Sequence, residues 1–281
     1  FQGGASGNAA AGVTLDQLGA EIDIDADLDL DASFAFALGY GLWVAPRKVL
    51  GGNIGFGVIL PIGWQDVSAD IDVTANLELP NGETFTASQT FMIGDHTRSV
   101  GDPVLVTTIG WQRGNWRWRL AGLLNVPVGS YKEERITNMG FNRWAFDAHL
   151  ATTWLDPTIG LEISTTTGFT FNGENPDTNY KTGTEFHFEY AAIQNFSKRF
   201  GLGVVGVYYE QITDDSGAGA NLGGFRGRTV AIGPNINYNF QLNGVPISSS
   251  LRWYHELEVN NRLKGDIVIF NATAPLGGPR R

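Results

Sequence analysis

From Ile22 to Val44 the chain alternates without a break. Ile22, Ile24, Ala26, Leu28, Leu30, Ala32, Phe34, Phe36, Leu38, Tyr40, Leu42 and Val44 fall on one face. Asp23, Asp25, Asp27, Asp29, Asp31, Ser33, Ala35, Ala37, Gly39 and Gly41 fall on the other. A two-residue period is the signature of a β-strand. This one runs for about 23 residues, whereas strands of water-soluble proteins usually end after about 5–6. The next segment behaves in the same way. Ile54, Phe56, Val58, Leu60, Ile62 and Trp64 share a face, and the apolar set then changes phase to Val67, Ala69, Ile71, Val73, Ala75, Leu77 and Leu79. One extra residue near Gln65–Asp66, a β-bulge, is the expected cause of the change. Pro80-Asn81-Gly82-Glu83 closes this segment with an Asn-Gly turn signal.

Further strands are predicted at 101–112, 115–130, 142–156, 158–172, 183–197, 201–213, 226–241, 247–260 and 265–276. The return strand from Glu83 merges into the one ending near Gln112. Residues 1–17 are expected to form either a first strand or a segment inserted into a lumen. The total is twelve. Connections alternate in length. Short ones lie at 46–52, 113–115, 156–158, 197–201 and 242–246, and longer polar ones at 132–141, 173–182 and 214–225. Short turns at one end and long loops at the other characterise outer-membrane barrels. A closed soluble barrel would instead wrap its apolar face inwards. Lipid is favoured by aromatic residues near strand ends, namely Trp43, Trp64, Trp111, Trp116, Tyr131, Trp144, Trp154 and Phe240, as in interfacial girdles. The expected fold is a single-domain (1–281), all-β, transmembrane antiparallel β-barrel of twelve strands, with short periplasmic turns and longer extracellular loops. Its apolar faces, including that of Ile22–Val44, are expected to meet lipid. Twelve strands give a backbone diameter of about 24 Å and a lumen of about 10 Å.

Composition narrows the functions. Lys and Arg total 19 against 29 Asp and Glu, a net charge of −10. That excludes an ordinary nucleic-acid binder, whose surface is basic. There is no cysteine, hence no disulfide, thiolate nucleophile or Cys-bound zinc. Met92 and Met139 are the two methionines, so a processed chain with its signal peptide removed is expected.

Several segments, taken together, resemble one family. They are Lys48–Asn53 with Gly55-Phe56-Gly57, Gly101-Asp102-Pro103, Gly114-Asn115-Trp116 through Pro127–Tyr131, Phe141–Trp144 and Trp154–Pro157. The densest run is Asn172–His187, followed by Thr213–Ala220, Gly227-Arg228 and Glu258–Arg262. Over about residues 46–276 the chain resembles the bacterial outer-membrane family involved in the meta-pathway of phenol degradation, a set of channels for aromatic compounds. The resemblance implies a Gram-negative outer-membrane location and transport of hydrophobic or aromatic molecules. It carries over no catalytic motif.

Strand phase assigns the lumen. If Trp144, Phe146 and Leu150 meet lipid, then Arg143, Asp147 and His149 point inwards. By the same rule Glu185, His187, Glu189, Arg117, Arg119, Arg252, Glu256, Glu258, Asn235, Asn237 and Asn239 point inwards, while His255 stays outside. Walls bearing both charge signs suit either a transverse field that orients solutes or a network that plugs the barrel. Asp23, Asp25, Asp27, Asp29, Asp31, Asp70 and Asp72 are expected to form an acidic face at the outer mouth. Divalent-cation binding at Asp27, Asp29, Asp70 and Asp72 is the alternative. An EF-hand is excluded, because Leu28 stands where its glycine belongs. With four histidines and no Gly-x-Ser-x-Gly elbow, the chain is not expected to be an enzyme. The expectation is a monomeric channel for passive uptake of small, hydrophobic or aromatic solutes, with the lipid bilayer as partner and no cofactor. The alternatives are a closed-lumen structural or adhesive barrel, or a barrel enzyme.

Overall fold

The computed structural model describes residues 2–15, 20–79, 81–221 and 223–277. The expected turn residue Pro80, and residues 16–17 of the expected first strand, lie outside these. The described residues form strands and connections and no helix. Thirteen strand segments follow one another: β1 (Gln2–Leu15), β2 (Ala20–Val49), β3 (Gly52–Glu78), β4 (Thr84–Val100), β5 (Val104–Arg113), β6 (Trp116–Asn125), β7 (Ala145–Asp156), β8 (Leu161–Asn172), β9 (Glu185–Asn195), β10 (Phe200–Gln211), β11 (Arg228–Leu242), β12 (Val245–Asn260) and β13 (Lys264–Thr273). β4 and β5 are one line of strand. Val100 lies opposite Ile62 and Val104 opposite Ile59 on β3, with Gly101-Asp102-Pro103 as the break. Proline lacks an amide donor, so the ladder fails there. Counted this way the wall has twelve antiparallel members, each paired with its neighbour in the chain. The ring closes where β1 meets β13, through Gln2, Gly3 and Gly4 opposite Asp266, Gly265 and Lys264. Gln2–Leu15 pairs along its length with β2, so it is wall and not a lumen insert.

Partners on antiparallel strands share a face, so register fixes the inside. Val106, Leu123, Asp147, Thr170 and Glu185 lie in one cross-strand row. Thr108, Ala121, His149, Gly168, His187 and Tyr209 lie in the next. Val106, Thr108 and Ala121 are buried. The other face carries exposed Leu120, Phe146, Leu150, Ile163, Phe169, Leu202, Ile236, Leu251 and Val268. Along β7 and the residue before it this apolar band runs from Trp144 to Trp154. Ten residues at a tilt of about 40° rise about 25 Å, the height of the outward apolar band of outer-membrane barrels. At the short-turn end aromatics stack in pairs: Trp43 with Phe56, Trp111 with Trp118, Phe196 with Phe200 and Tyr238 with Phe240. Tyr131 is not in a girdle. Its hydroxyl accepts from Asn175 Nδ2 at 3.0 Å, joining two long loops.

Two expectations fail on β2 and β3. The pairing of β3 with β2 and β4 is unbroken through Gln65 and Asp66, so no bulge changes the phase. The outward face of β3 is Phe56, Leu60, Ile62 and Trp64, then Asp66, Ser68, Asp70 and Asp72, all exposed. The inward face is Gly55, Gly57 and Gly63, then Val67 and Ala69. A regular strand has passed from lipid into water between Trp64 and Asp66, and its amphipathicity inverts with the solvent. The second failure concerns Ile22–Val44. Leu42 lies opposite Gly57, and Phe34 opposite Gln65. A Cβ on Gly55 would lie 3.2 Å from both the Leu42 and the Thr108 side chains. From Ile24 onwards, the described part of the aliphatic face therefore points inwards, where Leu42 fills the space left by the two glycines. Gly39 and Gly41, expected inside, lie on the outward face.

Candidate functional site: the lumen wall and its outer mouth

At mid-wall, Asp147 binds two imidazoles. His149 donates through Nδ1 to Oδ1, and His187 through Nε2 to Oδ2, each at 2.7 Å. Thr170 donates to Oδ2 at 2.8 Å. A neutral imidazole has one N–H, so the carboxylate sets opposite tautomers in the two rings. Above them Glu185 accepts from Asn172 Nδ2 at 3.0 Å and from the Tyr209 hydroxyl. Arg143 donates to Asn172 Oδ1 at 3.3 Å. The Arg262 guanidinium carbon stands 4.2 Å from the centroid of the Tyr209 ring, within cation–π range. On the opposite wall Asn235, fully buried, donates to Asn237 at 2.9 Å and accepts from Arg252 at 3.2 Å. Glu256 accepts the Gly265 amide at 2.6 Å.

Arg117 and Arg119 pair with Thr153 and Ala151 on the inward face, and Arg119 shares its row with Thr166 and Glu189. The residues expected in the lumen are thus on the inward side or, for Arg143, directly beside it, with one exception: a register shift between Val230 and Ala231 puts Glu258 opposite Val230 on the outward face, where it pairs with Arg228. His255 lies outside, bonded to Asp266 at 2.8 Å. The acidic row also faces outwards. Register places Asp27 opposite Asp72 and Asp29 opposite Asp70 on the exposed face of the β2–β3 extension. Among the described residues, no three His, Asp or Glu gather as a metal site there or elsewhere.

The outer mouth holds residues that pattern alone had given no role. Asp102, in the break between β4 and β5, is 3% exposed. It accepts the amides of Gly129 and Phe141, each at 2.7 Å, and Asn125 Nδ2 at 3.0 Å. A Cβ on Gly129 would stand 2.5 Å from the Asp102 nitrogen, so only glycine admits this approach. The loop between β6 and β7 is thereby folded over the lumen. Asn142 joins it to Asn175 and Asp177 of the β8–β9 loop, each at 2.9 Å. That loop is joined to the β10–β11 loop by Asp215, which accepts the Gly183 amide at 3.0 Å, Gln211 Nε2 at 2.7 Å and the Tyr180 hydroxyl. Burial, with the bond to Asp215, pushes the Tyr180 hydroxyl up to about 12, so it stays a donor at neutral pH. The one sequence sign of this clasp is the coincidence of Gly-Asp-Pro and of polar residues within the family-like segments.

A second fastening lies on the extension. Asp95 accepts from Arg135 Nη2 at 2.7 Å and from the Thr137 amide at 3.0 Å. Thr137 is buried against Thr97. The Arg135 guanidinium, then the Thr137 amide, hold the Asp95 carboxyl well below the usual carboxylate range. A depressed folded value stabilises docking above the free carboxyl's ordinary value of about 3.9, and the gain is lost as pH falls through the lowered folded value. The loop is therefore expected to stay docked at pH 4. Asp95→Ala should free it at pH 7, with tryptic cleavage after Lys132 and Arg135 about tenfold faster. Equal cleavage rates in the two proteins would show that other contacts hold the loop.

Comparison with known proteins agrees with this architecture. An outer membrane channel from Pseudomonas putida F1 superposes with a TM-score of 0.62 over 90% of this chain and 84% of that one, at 13% identity. That likeness shows the fold. No curated protein matches the chain. The family described as "Putative MetA-pathway of phenol degradation" matches residues 5–272. With nearly its whole length matched, the chain belongs to that family.

Proposed function

We propose that the protein is a monomeric channel of the bacterial outer membrane, its signal peptide removed, that admits small, hydrophobic or aromatic molecules by passive diffusion. The supporting observation is the inward face itself: a continuous lining of Arg117, Arg119, Asp147, His149, Glu185, His187, Glu189, Asn235 and Arg252 within a wall whose outward face is apolar. Charges of both signs facing the axis suit a transverse field that orients a solute. The lining orients a passing dipole, the acidic outer extension sets the field at the mouth, and no cofactor or energy source is involved.

The test is single-channel conductance of the purified protein in a planar bilayer. Steady, ion-selective conductance is expected, and silence from a folded barrel would reject an open pore. Replacing Arg117 and Arg119 with glutamine should shift the reversal potential towards cation preference, since two positive charges leave the wall. An unchanged reversal potential would remove them from the conducting path. A second reading, a closed surface barrel, is favoured by one observation, the interlocking of three outer loops through Asp102, Asn142 and Asp215.

A further inference from the structure

We propose that the free edge of β4, on the outer extension, receives an extended segment of a partner protein whose side chains alternate between basic and apolar. β4 pairs with β3 from Thr84 to Val100 and ends the sheet on that side. Near its base the docked loop covers it, through Arg135 on Asp95 and Thr137 on Thr97. From Thr84 to Ile93 nothing among the described residues pairs with the outer edge. A bare edge presents a row of unpaired N–H and C=O groups, which native chains guard with charges, proline, bulges or brevity. Thr84-Phe85-Thr86-Ala87-Ser88-Gln89-Thr90-Phe91-Met92-Ile93 carries no charge and no proline. Its pairing with β3 runs without a register shift. Such an edge is ready for strand addition, in which main-chain hydrogen bonds hold the guest and alternate side chains select it.

The two faces of β4 define the guest. On the inward face Phe85, Phe91 and Ile93 are exposed, whereas Ile71, Val73 and Leu77, one strand further in, are half-buried. β3 has a strand on each side and β4 has one. A further strand with apolar side chains on this face closes the difference. On the outward face Thr86, Ser88 and Thr90 are small. Behind them stand Asp70 and Asp72 on β3, then Asp27 and Asp29 on β2. No Lys or Arg occurs in residues 1–46 or 49–97, so these strands carry no cation to balance the row. An added strand would lie about 10 Å from Asp70 and Asp72, two strand spacings, which is within the screening length of about 10 Å at 0.1 M salt. A second copy of this chain carries the same acidic rows, and pairing through β4 would set them side by side. A basic strand meets them with opposite charge.

The chain has no cysteine, so one introduced thiol reports position. The probe is a nine-residue peptide of alternating lysine and valine whose central lysine is replaced by an activated cysteine disulfide. It is offered to the intact barrel carrying Ser88→Cys on the free edge, or Thr74→Cys directly behind it on β3. Each rate is divided by that variant's rate with the same activated disulfide on free cysteine. A strand added to β4 puts facing Cα atoms about 4.5–5.5 Å from Ser88, within disulfide reach, while Thr74 stays two spacings away, beyond the limit of about 7 Å. Ser88→Cys is expected to react at least about tenfold faster than Thr74→Cys. A backbone N-methylated peptide should lose that preference, and so should a peptide with glutamate in place of lysine. Asp70→Asn with Asp72→Asn should slow the Ser88→Cys reaction about threefold at 0.1 M salt. Equal rates at the two positions would overturn the proposal, as would no reaction in protein that keeps its folded, heat-modifiable electrophoretic band. An N-methylated peptide as fast as the parent would show attraction without strand pairing, and a glutamate peptide as fast would remove the basic preference. Self-linked dimers of Ser88→Cys in place of the peptide adduct would give the edge to a second copy. None of these outcomes depends on conductance, so the edge and the channel reading stand or fall separately.

Discussion

Replacing Asp102 with alanine is expected to unfasten the outer mouth while leaving the barrel standing. The carboxylate is 3% exposed and accepts three hydrogen bonds, two from backbone amides in the loop between β6 and β7. Each buried donor left without a partner costs about 1–3 kcal/mol. Losing all three therefore costs on the order of 3–9 kcal/mol locally, more than a surface loop can offset. The wall below keeps its cross-strand ladder, so the damage is confined to the clasp. If the clasp limits the channel, conductance should rise several-fold. Deuterium uptake at the Gly129 and Phe141 amides should accelerate by about a hundredfold or more. Unchanged exchange at those two amides would mean that the loop is held by Asn142 and its partners instead.

The second large effect concerns depth. Leu120, at the middle of β6, faces outwards within the apolar band and is 51% exposed. Arginine there should cost about 2–4 kcal/mol, the penalty of a cation at the bilayer midplane. Ser68 is also outward and exposed, on β3 only four residues beyond Trp64. If the bilayer ends between Trp64 and Asp66, Ser68→Arg should change stability by less than about 0.5 kcal/mol. Urea unfolding of both variants in vesicles measures the contrast. Equal destabilisation would place the extension inside the bilayer.

That contrast marks the boundary of what the sequence could say. Alternation revealed the strands, the loop lengths sorted the two ends, and phase placed Asp147, His149, His187 and Glu189 together on the inward side. These follow from the two-residue period and need no knowledge of distant contacts. The period defines two faces but does not name the solvent beside each. On β6 to β13 polarity settles the question except at Glu258, which a register shift in the β11–β12 pairing turns outwards. On β2 it misleads, because the outward face inside the bilayer is made of Ala35, Ala37, Gly39 and Gly41, while Leu42 packs inwards over Gly55 and Gly57. The change of phase at Asp66 looked like a fault in the strand and is a change in its surroundings. Asp102, Asp95 and Asp215 were not legible as anchors. Their partners lie 27 to 42 residues away for the loop amides of Gly129, Phe141, Thr137 and Gly183, a separation that no local pattern records.

The inverted extension also constrains how such a barrel can assemble. Its outward face carries Asp23, Asp25, Asp27, Asp29 and Asp31 beside Asp66, Asp70 and Asp72. From Asp66 to Glu78 it stands about 30 Å beyond the bilayer at the usual strand rise and tilt. To arrive there, that face has to be carried across the membrane. Each carboxylate exposed to hydrocarbon on the way would cost on the order of 2–3 kcal/mol, and the row as a whole more than a folding domain has to spare. The β2–β3 hairpin cannot plunge through bare lipid as an independent unit. Its passage requires a shielded aqueous path, so the acidic tip dictates the order of assembly: translocation of the extension first, closure of the wall around the lumen afterwards.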